Sequence, residues 1–227
     1  MARRNPKPDA SLAHILGGHG GAIDATVPVV GFVLVFTLAD SASWTSPIAW
    51  AAGAALLTAV VIAVVRLAGG KQPRAVLFGL LGVAVAALVA LYTGRAVDFF
   101  LVQIVSNAAS ALAWAVSIVI RWPLLGVVVG TLLGQRTRWR RDPDLLRGYQ
   151  RASWLWVGQY LVRLAVFLPL YVADAVVPLG IARAALTWPL VALCVALSWP
   201  VLRSALPEGH RGLRHPAEGD AGSRSAT

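Results

Sequence analysis

Six stretches of this chain each run for about 20 residues with almost no charge, the length an α-helix needs to cross the hydrocarbon core of a bilayer. They are Ile23–Ser41, Pro47–Val65, Ala75–Tyr92, Phe99–Ile120, Trp154–Ala173 and Ala184–Leu202. All are rich in Ala, Leu and Val and apolar on every face, which reads as helices in lipid rather than barrel strands. The first is the weakest, because Asp24 and Asp40 bracket it closely. With 58% apolar and 13% charged residues and a mean hydropathy of +0.70, too little polar surface remains to coat a soluble globule. Intrinsic disorder over most of the length and an ordinary soluble enzyme are both excluded. The expected fold is all-α, a polytopic membrane helix bundle of six transmembrane helices.

Orientation follows from the basic residues, which collect on cytoplasmic loops. With both ends inside, only Arg95 and Arg183 of the 20 Lys and Arg fall on the outer side, and Arg163 falls within a span. An even number of crossings, N-in and C-in, produces that asymmetry. The segments divide into a basic, Gly-rich cytoplasmic leader over 1–21, a six-span membrane domain over 22–203, and a disordered cytoplasmic tail over 204–227. The leader has no short apolar core followed by an A-x-A-like site, so the first apolar run is expected to stay as an anchor.

Residues 121–153 form an interfacial helix and a basic loop. Trp122–Gly134 is too short to cross, and Arg121 and Arg136 bracket it, so it is expected to be interfacial or re-entrant. Gly126, Gly130 and Gly134 recur every fourth residue, a stripe against which another helix can pack. Asp142-Pro143-Asp144 reads as a helix start, with a capping carboxylate and proline in the first turn. Leu145, Leu146, Tyr149 and Ala152 then form the apolar face of an amphipathic helix on the inner leaflet. Arg121, Arg136, Arg138, Arg140 and Arg141, with Trp139 among them, suit anionic lipid headgroups, each adding about 1 kcal/mol of attraction. Topology and lipid anchoring account for this cluster; a specific phosphate-lipid pocket is the sharper alternative.

Polar groups within spans are costly, so they mark candidate sites. Arg163 stands at the middle of the fifth span and should be paired and turned inward. Gln159 lies one turn before it. On the fourth span Gln103, Ser106, Asn107, Ser110, Trp114 and Ser117 share one helical stripe, and Gln103 and Asn107 fall at a depth that could meet Gln159 and Arg163. This polar core is either glue between two helices or an anion or headgroup site, or part of a solute path. Asp24, Asp98 and Asp174 are the acids that could neutralise Arg163. Asp98 also has Arg95 three residues before it, which allows a plain surface pair instead, and Asp24 could serve as a helix cap.

No Walker, HExxH or CxxC motif is present, and His14, His19, His210 and His215 lack companion ligands at metal spacing. No metal and no cofactor is expected. Cys194, the one cysteine, sits in an apolar run and cannot form an internal disulfide. No soluble module suggests nucleic acid as a partner. The expected partners are lipids of the anionic inner leaflet, with other membrane proteins or further copies of the chain as additional candidates.

Several segments together resemble a family of actinobacterial integral membrane proteins of unknown function. They are Asp24…Pro28…Phe32, Arg66, the run Thr93 to Phe100, Asn107, Ser117 with Arg121-Trp122-Pro123-Leu124, Trp139-Arg140-Arg141-Asp142, the run Ala152 to Arg163, and Leu170-Tyr171. The match covers most of residues 20–202. More distantly the plan is similar to the septation protein A (YciB-type) inner-membrane family, with its early Asp-x-x-Pro-like opening, basic-Pro-Leu turn and Trp-rich later span. This chain departs from that plan in a longer basic loop and one more span. The resemblance implies a role in envelope or septum maintenance. The leading expectation is a non-enzymatic inner-membrane protein of the cell envelope acting through lipid or protein contacts. Two alternatives stand beside it. One is a small-solute or ion permease using the Arg163 core; the other is an enzyme of lipid-phosphate or isoprenoid chemistry with Asp24 or Asp98 as the catalytic acid.

Overall fold

A computed structural model of the chain describes residues 18–70, 73–134 and 137–206, with side chains from residue 26 onward. Seven α-helices occur among these residues: α1 Gly18–Ser41, α2 Pro47–Ala68, α3 Pro73–Thr93, α4 Leu101–Val119, α5 Leu124–Leu132, α6 Pro143–Val172 and α7 Val176–Ser204. Short 3-10 turns occupy Ala96–Phe100 and Arg138–Arg141.

Proline starts several of these helices. Pro47, Pro73 and Pro143 are first residues of α2, α3 and α6, where the missing N–H has no intrahelical partner to lose. At α6 the Asp142 carboxylate accepts the backbone N–H groups of Asp144 at 3.0 Å and Leu145 at 3.2 Å, the expected N-cap. Three ends are closed by paired bonds of the Schellman kind. Trp44, Trp122 and Ala175 donate back to the Ala39, Ser117 and Leu170 carbonyls, and Ser43, Arg121 and Asp174 to those of Asp40, Ile118 and Tyr171. The residue at each turn, Ser43, Arg121 or Asp174, has φ between 51° and 55°.

Side-chain size is distributed as a bilayer requires. On α2 the buried residues are Ala51, Ala52, Ala55, Ala59 and Ala63, while Leu57, Val60, Val61, Val64 and Val65 are exposed. On α3 Ala86, Ala87 and Ala90 are buried, and Leu77, Phe78, Leu81 and Leu88 face outward. In water the large residues would go inside. Lipid tails are as apolar as leucine, so small residues at the seam, which let backbones approach, decide the packing instead. Five helical segments are long and apolar enough to cross a membrane: Pro47–Ala68, Pro73–Thr93, Ala96–Val119, Pro143–Val172 and Val176–Ser204. The chain is a multi-pass helical membrane protein. The first expected span lies on α1, whose described apolar stretch, Thr26–Ser41, is shorter; its helix begins at Gly18, inside the expected leader.

Two compact units divide the chain, one of residues 1–102 and 169–185, the other of residues 103–168 and 186–227. The first holds α1 to α3 and the wholly buried 3-10 turn Ala96–Phe100. Phe32 stacks on Phe99 with ring centroids 4.0 Å apart, and Gly180 comes so near Val33 that a Cβ there would lie 2.7 Å from its Cγ2. In the second unit α6 runs antiparallel to α4, with Trp114 on Trp156 and the Gln150 amide donating to the Ile118 carbonyl. It also runs antiparallel to the later part of α7, from Gly148 against Leu202 to Arg163 against Thr187.

Two expectations for residues 121–153 change. The amphipathic segment and the fifth span are one 30-residue helix, α6; Tyr149 and Ala152 are core residues at its start. At Gly126 the glycine stripe meets an aromatic ring. A Cβ at Gly126 would lie 2.8 Å from the Trp139 ring, and Gly134 ends the segment at φ 67°.

Candidate functional site

Two polar constellations stand out, one in each unit. In the first unit Asp98 is 4% exposed. It accepts the Tyr171 hydroxyl at 2.6 Å and lies 3.7 Å from the Arg95 guanidinium. Arg95 also donates to Asp174 at 3.3 Å and sits 5.5 Å from the centre of the Tyr171 ring. The expected surface pair of Arg95 and Asp98 is thus part of a closed network of two carboxylates, one guanidinium and one phenol. Asp98 and Asp174, two of the acids expected for Arg163, are engaged by Arg95. Asp24 lies on α1 outside the described side chains.

In the second unit Arg163 is 5% and Gln159 3% exposed. The guanidinium donates through Nη2 to Gln159 Oε1 at 3.2 Å and to the Thr187 carbonyl at 2.8 Å. Both partners are neutral. The carbonyl belongs to α7, two residues before Pro189. Tyr160 adds its ring face 5.5 Å away. Arg163 Nε and Gln159 Nε2 are buried without a hydrogen-bond partner.

Gln103 and Asn107 form the second half of the expected core. Gln103 Nε2 donates to Asn107 Oδ1 at 3.3 Å; Asn107 is 1% exposed, and its Nδ2 has no partner. Of the expected stripe, Ser117 is also buried, Gln103, Ser110 and Trp114 are half-buried, and Ser106 is exposed. At about 100° per residue, Asn107 and Gln103 lie within about 20° of Trp114 around α4, and Arg163 lies about 20° from Trp156 around α6. Trp114 and Trp156 stack at 5.1 Å. Carried two turns along the antiparallel pair, that register sets Asn107 level with 161–163. The two pairs therefore share a height and a face, while among the described residues no direct hydrogen bond joins them.

Two hydroxyls escaped the sequence reading. Tyr149 OH and Ser153 Oγ are buried and unpartnered, on the same third of α6 as Arg163 and Gln159. Spacing alone could have found them, since 149, 153, 159 and 163 share a flank. The Thr187 carbonyl is a backbone group, for which side-chain spacing carries no signal.

The basic segment is built around Trp139. Expected at headgroup depth, it is instead fully buried with Leu125, Leu145, Tyr149, Ala152 and Leu202, and its ring meets Tyr149 edge-on at 5.5 Å. Arg121, Arg138, Arg140 and Arg141 are all exposed, and Arg140 stacks over Trp122 at 3.9 Å. Arg136 lies outside the described residues. No group of His, Cys, Asp and Glu suited to a metal ion occurs among the described residues.

A family model described as a protein of unknown function, DUF3159, matches residues 16–209. The chain belongs to that family. The matched stretch contains both constellations and the basic segment. No curated protein and no solved structure matches the chain.

Proposed function

We propose that this DUF3159 member is a non-enzymatic protein of the inner (plasma) membrane that serves the cell envelope by holding anionic lipid and membrane-protein partners, among them further copies of itself. In this reading the chain crosses six times, with α1 as the first crossing, both ends on the cytoplasmic side and α5 lying at the inner interface. The observation that carries it is the arginine platform. Trp139 is buried in a core while Arg121, Arg138, Arg140 and Arg141 are exposed. A mobile basic loop would lose side-chain freedom on meeting a charged surface; here the guanidinium groups are held on a folded base. The envelope role itself rests on the sequence resemblance to the septation protein A family.

Vesicles test this reading. The full chain is reconstituted with brominated phosphatidylglycerol or brominated phosphatidylcholine, and quenching of the exposed Trp122 and Trp154 reports lipid contact. The anionic lipid is expected to quench preferentially. That preference should fall about fivefold for each of Arg138→Gln, Arg140→Gln and Arg141→Gln, matching about 1 kcal/mol per basic residue. Equal quenching of the wild type by both lipids overturns the reading. The permease alternative is favoured by one observation, the buried donors around Arg163.

A further inference from the structure

A cation near the middle of a span is stable only when something offsets its charge. In the second unit the described carboxylates are Asp142 and Asp144. Asp142 caps the start of α6, and Asp144 pairs with Arg147 at 2.6 Å. Both lie about 30 Å along the helix from Arg163 at 1.5 Å per residue. The hydrogen-bond partners of Arg163 are an amide oxygen and a backbone carbonyl, so among the described residues no carboxylate of its own unit offsets its positive charge.

The unused atoms at this height have one polarity, while the unpartnered Tyr149 and Ser153 hydroxyls lie nearer the start of α6. Arg163 Nε, Gln159 Nε2 and Asn107 Nδ2 are buried, unpartnered and donors only. Gln159 and Asn107 have already spent their acceptor oxygens on Arg163 and Gln103. Glue between helices would pair donors with acceptors. Here acceptor capacity is consumed within each pair and donor capacity is left over, at one height and on facing sides of α4 and α6. An unmade buried donor costs the full desolvation of that group.

We propose that Arg163, Gln159 and Asn107 bind a phosphate oxyanion, either the phosphodiester of a lipid headgroup or free inorganic phosphate. A phosphate group supplies the missing negative charge and several acceptor oxygens for donors arriving from two helices. Guanidinium–phosphate contacts are charge-assisted and directional, which explains an arginine rather than a lysine at this position.

Native mass spectrometry and thermal unfolding of the full chain, purified and delipidated in mild detergent, test the site. If a lipid is the source, phosphatidylglycerol leaves a one-to-one adduct that survives collisional activation in the wild type. Its affinity falls at least tenfold in Arg163→Gln and Asn107→Leu. If the source is free phosphate, millimolar inorganic phosphate raises the unfolding temperature of the wild type and not of either variant. Arg163→Lys, which keeps the charge and loses the fork, should bind more weakly than wild type and more tightly than Arg163→Gln. The combined Arg138→Gln, Arg140→Gln and Arg141→Gln chain should shed weak surface adducts and keep the single tight one, so failure of the platform reading is told apart from failure of this one. A wild type that binds neither probe, or an Arg163→Gln chain that binds like wild type, overturns the proposal. Should Arg163→Gln fail to fold, Asn107→Leu carries the same comparison.

Discussion

In one unit Arg95 reaches two carboxylates and the face of a tyrosine; in the other Arg163 reaches a side-chain amide and a backbone carbonyl. The first network is closed, because the buried Asp98 also accepts the Tyr171 hydroxyl and the remaining charge of Arg95 meets Asp174. The second is open, with three donors unspent. Arg95 has a local acid three residues away, whereas Arg163 is surrounded in sequence by Leu, Val, Ala and Phe. An ionisable residue in a membrane protein is therefore informative through what its neighbours leave unsatisfied, more than through its presence.

Breaking the closed network should have the largest effect. Asp98→Ala removes a buried acceptor of a charged hydrogen bond and strands the Tyr171 hydroxyl, and should lower stability by about 3 kcal/mol. Reversible unfolding in bicelles measures it, and a loss below about 1 kcal/mol would mean that the carboxylate is solvated. Tyr171→Phe keeps the ring under Arg95 and deletes only the hydroxyl, so about 1.5 kcal/mol should be lost. The contrast sharpens with Arg163→Met, which should change the stability of delipidated protein by less than about 1 kcal/mol or raise it, since replacing an uncompensated buried charge with an apolar side chain relieves desolvation. A loss as large as that of Asp98→Ala would show Arg163 to be as fully paired as Arg95. The smallest effect belongs to Asp174→Asn. The pair with Arg95 is exposed, asparagine tolerates the left-handed turn, and the change should stay within about 0.5 kcal/mol.

The helices were legible because lipid imposes one requirement, a long apolar run, that no local preference offsets. Boundaries failed where that signal weakens. The polar start of α6 reads as a separate amphipathic helix, since a continuous helix that leaves the apolar core and keeps going looks in sequence like two. The core residues Arg163, Gln159, Gln103 and Asn107 were legible from cost and spacing. Their bonding was not, because whether Gln159 gives its oxygen to Arg163 depends on a rotamer. Trp139 shows the converse. A tryptophan between arginines reads as an interfacial anchor, and contacts distant in sequence, with Gly126 thirteen residues earlier and Leu202 far later, turn it inward. The surface-pair alternative for Asp98 fails for a similar reason. The burial of Ala96–Phe100 comes from Phe32 stacking on Phe99, a long-range contact with no local signature.

The most direct test of the central claim is a solid-state magnetic resonance distance between the Arg163 guanidinium carbon and phosphorus, in full-length protein reconstituted with phosphatidylglycerol and phosphate. The difference between wild type and Arg163→Lys isolates this one arginine among the others. Phosphate held by Arg163 gives carbon–phosphorus dephasing corresponding to about 4 to 5 Å, the separation of a hydrogen-bonded guanidinium–phosphate pair. A wild-type signal identical to that of Arg163→Lys, with no phosphorus within reach, would contradict it.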